Sequence, residues 1–136
     1  MKKIIFLLGL IASLCCVSCS SNVKHARELI DEYAQKENQL YNEVNGMDVF
    51  FTDEEEAYIE AEAMARAYQT KAVMSEDWGL DDDEFEYEAF RMIVRSENLR
   101  VKLTEEQRIF AQMYWDMCIY HAKTVILEDW LKEHGK

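Results

Sequence analysis

The chain has no proline and only four glycines in 136 residues. Proline breaks a helix by removing a donor and clashing with the preceding turn, and glycine weakens one through its backbone entropy. A chain so poor in both favours long, uninterrupted helices joined by few turns. Gly46 and Gly79 punctuate the middle, Gly135 the end, and Gly9 lies in the first apolar run. No useful length of period-two apolar alternation occurs, so no sheet is expected.

Four segments read as helices. In the first, about Val23 to Asn45, positions 23, 26, 30, 33, 37, 40 and 44 form an apolar seam broken once, by Glu37. The dipeptide "NG" at 45–46 is its expected stop. The second starts at Thr52, which has capping-box spacing to Glu55, and ends near Trp78–Gly79. Ala57, Ala61, Met64, Tyr68 and Ala72 are its expected inner face, with alanines that let a neighbour approach closely. Asp81 and Glu84 open a third helix to about Ser96, with Phe85, Ala89, Met92 and Ile93 on one face. Thr104 with Gln107 caps the fourth and longest, to about Glu133. From Ile109 to Leu127 it is apolar nearly all round, which suits a central buried helix. A membrane span is the rival, but Gln112, Asp116, His121 and Lys123 interrupt it, and charge at bilayer depth is costly. The expected fold is all-α, a small four-helix bundle-like domain, antiparallel or of related orthogonal form.

The first twenty residues obey another logic. Lys2 and Lys3 precede the apolar run Ile4 to Ala12, and small residues follow, the order of a secretory signal peptide. The run is shorter than the ~20 residues that cross a bilayer. Cys15, Cys16 and Cys19 crowd together directly behind it in "LCCVSCSSN". A zinc site would need two further ligand groups at suitable spacing, and no second cysteine pair exists. The segment resembles the signal peptide of a bacterial lipoprotein, in which a cysteine closing a box of small and aliphatic residues is lipidated and becomes the first mature residue. Cys19 fits that role best, with Ser18 before it and the tether "SSNVK" after it. Cys16 stands where the family usually has leucine; Cys15 or Cys16 as the lipidated residue, and ordinary cleavage without lipid, are the alternatives. The resemblance covers only this segment. It implies a signal peptide at 1–18, a lipidated Cys19 and short tether at 19–24, and an acidic helical domain at 25–136. Ser20 resembles the residue after the cysteine in outer-membrane-sorted lipoproteins of Gram-negative cells, and the tether lacks the early acidic pair that resembles surface-export signals. The implied address is an outer-membrane anchor facing the periplasm, or the plasma membrane in a Gram-positive host.

Cleavage before Cys19 removes two lysines and no acid, which takes the formal charge from −12 to −14. Such a surface repels nucleic acid, whose binding needs clustered Lys and Arg. It also avoids anionic headgroups, so membrane attachment rests on the acyl chains. A basic protein partner is favoured electrostatically, and solubility alone is the plainer use of the same charge.

Candidate chemistry is sparse. Met113, Met117 and His121 recur at i, i+4, i+8 with Cys118 close by, a soft set of the kind Cu(I) prefers; core packing explains the same residues. Cys118 is the one cysteine of the helical domain. A calcium loop starting at Asp77 would put Gly79 where an oxygen ligand belongs and Asp82 where the turn needs glycine. His25, His121 and His134 are preceded three residues earlier by Asn22, Cys118 and Leu131, so the Glu-x-x-His signature of a di-iron bundle is missing. No nucleophile elbow or phosphate-cradling glycine loop occurs. Glu37 is either a functional carboxylate, a seam-edge residue paired with Lys or Arg, or a snorkelling chain. Phe50, Phe51, Trp78 and Trp130 lie near helix ends, where they serve either a protein interface or the ends of the core. The expectation is therefore a non-enzymatic envelope lipoprotein that binds a protein, in an inhibitory, immunity-type or assembly role, with no cofactor beyond its lipid. A periplasmic copper-binding protein is the alternative.

Overall fold

The apolar seam of the first segment closes into helix α1, Ser21–Asn45. The computed structural model describes residues 21–80, 88, 90, 91, 94 and 100–135. Val23, Ala26, Ile30, Ala34 and Val44 are buried along α1, and Glu37 falls on the same face, half-buried. The helix stops where "NG" predicts, with the Gly46 N–H donating to Asn42 O at 3.1 Å.

Helix α2, Asp53–Asp77, opens on a complete capping box. The Thr52 hydroxyl accepts from Glu55 N at 3.2 Å, and Glu55 Oε1 accepts from Thr52 N at 2.9 Å. It closes with paired bonds, Leu80 N to Ser75 O and Gly79 N to Glu76 O, around Gly79 at φ 70°. That is a Schellman ending, in which a left-handed residue lets the chain turn back on the last carbonyls. Helix α3, Glu105–His134, has its own box between Thr104 and Gln107. Among the described residues the architecture is all-helical, and these are its three long helices.

The helices share their cores unequally. Val23, Ala26 and Ile30 pack with Ile126, Leu127 and Trp130, so the start of α1 meets the end of α3 and the two run antiparallel. Ile59 and Ala63 pack with Ala111 and Trp115, start against start, while Met74 joins the cluster at the other end. α2 and α3 are therefore parallel. Both outer helices lie against α3, and their backbones do not approach each other. Side chains span the gap, as where His25 stacks on Trp78 with ring centres 6.1 Å apart. The apolar girth of α3 thus serves two neighbours, the central role expected of it. No described helix is long and apolar enough to cross a membrane.

The expected inner face of α2 needs correction. Ala61 is buried, but Ala57 is exposed and Met64 is 44% exposed. The strip facing α3 is Ile59, Ala63 and Met74, and a second strip of Ala61, Ala65 and Ser75 is buried on the roughly opposite side. A helix buried along two sides gives no single apolar stripe to read. The predicted third helix, with its cap at Asp81 and Glu84, the face Phe85, Ala89, Met92, Ile93 and the run "DDDEFEYE", lies mostly outside the described residues. Glu88, Phe90, Arg91 and Val94, which are described, are helical.

Candidate interaction surface

The parallel course of α2 and α3 sets their capping boxes side by side at one end of the molecule. Gln107 uses its amide on both. Its Oε1 accepts from Thr104 N at 2.9 Å, closing the α3 box. Its Nε2 donates to the backbone carbonyl of Phe50 at 2.9 Å, and more weakly to Glu55 Oε1, the α2 box carboxylate, at 3.5 Å. The loop before α2 is tied in this way to the first turn of α3. Its two phenylalanines then part. Phe51 packs inward against Phe110, ring centres 5.1 Å apart. Phe50 points outward and is 81% exposed. Around it Asp48, Asp53, Glu54, Glu105 and Glu106 are exposed, against Lys102 and Arg108 at the same end. Acids in the first turns offset the dipoles of two helices that start side by side.

Of the other aromatic candidates, Trp130 is 6% exposed and belongs to the core. It meets Trp78 edge-on at 4.9 Å and stacks on His134 at 4.5 Å. Trp78 is half-buried against the same cluster. Only Phe50 of the four presents a largely free side chain, because the other three close the ends of the two cores.

The soft-ligand candidates lie midway along α3. Met113, Met117, Cys118 and His121 are all partly buried. Nδ1 of His121 donates to Glu37 Oε1 at 2.8 Å, linking α3 to α1 across 84 positions of sequence. Glu37 is thus paired at the edge of the seam, with a histidine in place of lysine or arginine. Burial pushes the Cys118 thiol up, and the nearby Glu37 charge adds to it, while a hydrogen bond with Tyr114 pulls it back. A thiol held protonated is the reverse of an activated nucleophile. Among the described residues, no three His, Cys, Asp or Glu side chains converge in a way that could hold a metal ion.

A cleft of about 450 Å³ opens where α1 and α2 stand apart, with Leu29, Tyr33, Met74 and Trp78 as apolar wall and Lys123 of α3 beneath. The Lys123 ammonium lies 5.1 Å from the Tyr33 ring centre and 5.4 Å from that of Tyr120. Neither this grouping nor the second hand of Gln107 carries a sequence signal, since each joins residues more than fifty positions apart. Comparison with known protein families, with curated proteins and with solved structures returned no match.

Proposed function

We propose that this chain is a lipid-anchored envelope protein whose helical domain binds another protein and catalyses no reaction. The observation that carries the binding role is Phe50, an aromatic side chain 81% exposed at an acidic end of the molecule. Aromatic side chains are enriched in the cores of protein interfaces. The −14 formal charge of the mature chain favours a basic partner and disfavours nucleic acid. The anchor rests on the lipoprotein-like N-terminus, with lipid on Cys19 and an outer-membrane address facing the periplasm. Within the domain, the segment from Asp81 to about Ser96 would supply a fourth helix. Support comes from the parallel α2 and α3, which require the chain to travel back between them, and from the second buried strip of α2.

The test is affinity capture of the natively processed, full-length protein from crosslinked envelopes, at low and high salt. One stoichiometric partner, weakened by salt, is the expected result. A monomer that captures nothing across replicates would end the reading. Cys19→Ala should abolish incorporation of labelled fatty acid into the protein; unchanged labelling would remove the anchor at that residue.

A further inference from the structure

We propose that Phe50 is the anchor side chain for a basic protein partner, and that Gln107 is the positioning residue that presents it. The inference rests on the protein-binding reading and names the surface and the partner's chemistry. Three observations meet at one place. Phe50 is 81% exposed although Phe51 beside it is packed, so the loop spends a large apolar side chain on solvent. Its carbonyl is held at 2.9 Å by Gln107, whose other amide atom is committed to the α3 cap. The exposed ring therefore stands on a backbone fixed by two helix starts, which lowers the ordering cost of binding. At this end the exposed acids Asp48, Asp53, Glu54, Glu105 and Glu106 outnumber the exposed bases Lys102 and Arg108, a net negative rim that suits a cationic collar around an apolar pocket. A second copy of the chain would bring the same acids together and is disfavoured by that charge.

Location agrees with this use. The 25 residues of α1 span about 37 Å at 1.5 Å per residue. Ser21 starts α1 two positions after Cys19, and Phe50 lies past the other end. An anchor at Cys19 therefore leaves the Phe50 end as the membrane-distal tip, where a partner in the periplasm or on a facing surface is met first.

The experiment uses full-length, natively processed protein in its own envelopes, with Phe50→p-benzoylphenylalanine as a photocrosslinker and the same probe at Val73, an exposed site on α2, as control. The expected result is an adduct to one protein at position 50 and none at 73, on a Lys/Arg-rich segment of that protein. Gln107→Glu keeps the acceptor that caps α3 but sets a carboxylate oxygen against the Phe50 carbonyl and Glu55 Oε1, so the adduct should fall several-fold, with a modest fall in melting temperature. Asp48→Lys, in the loop and outside both caps, should lower it too. Phe50→Ala should weaken capture by about thirtyfold, the scale of an interface hot spot. Because that side chain is in solvent, this arm stands even where a Gln107 variant fails to fold. A protein adduct at 73 and none at 50 would overturn the inference and spare the binding role. An adduct between two copies, or to an acidic segment, would overturn the partner's chemistry. No adduct at either site, with no captured partner, would overturn both readings.

Discussion

Cys118 shows how far a single residue's chemistry depends on its setting. Its thiol is pushed up by burial and by Glu37, so at neutral pH it stays protonated. Alkylation by iodoacetamide should be slow in the native protein, slower than for an exposed peptide cysteine, and fast once urea unfolds the chain. Equal rates in both states would mean the burial is absent in solution. Glu128 makes a second case. Burial raises its carboxyl above the ordinary value of 4.5, and Asp129 and Glu37 add to the effect, while Lys132 and His121 oppose it. The folded state then holds the proton to higher pH than the unfolded chain does. The ionised group costs stability at neutral pH, and the cost fades as pH falls through the raised folded value, vanishing below about 4.5. Glu128→Gln should raise the melting temperature slightly at pH 7 and lose that advantage near pH 4. A gain that persists in acid would point to something other than ionisation.

At the level of elements, helix boundaries were legible because they are written in local chemistry. Thr52 with Glu55 and Thr104 with Gln107 form the boxes their spacing implies. The two interior glycines, alike in sequence, differ in role. Gly79 has φ 70°, and Gly46 lies outside the left-handed region. A Cβ on Gly46 would meet neighbours only at 3.5 Å, an ordinary contact. Gly79→Ala should therefore cost about 1–2 kcal/mol, the penalty of a left-handed non-glycine residue. Gly46→Ala should be near neutral. Paired urea melts decide it, and equal effects would refute the distinction. The face of α2 was not legible, because alanines on two sides leave the period without a single direction.

At the scale of the molecule, stability concentrates where the three described helices meet. Leu127 is fully buried in the cluster with Val23, Ala26 and Ile30 of α1 and Met74 of α2. Leu127→Ala should cost about 2–5 kcal/mol through lost burial and the cavity left behind. Since the site joins three elements, unfolding should stay a single transition with an unchanged denaturant slope. Two separated transitions would show that the two ends unfold independently.

Helical class, the limits of α1, α2 and α3, both capping boxes and the acidic charge followed from the sequence alone, because they depend on residues within a turn or two of one another. The exposure of Phe50 was an open choice among four aromatics, and the core at each end of the bundle settled it by taking in the other three. The Glu37–His121 bond and the bridge from Gln107 to Phe50 join residues 84 and 57 positions apart. Only the packing of α1 and α2 on opposite courses along α3 brings them together, since a hydrogen bond between distant residues leaves no periodicity in the chain that makes it.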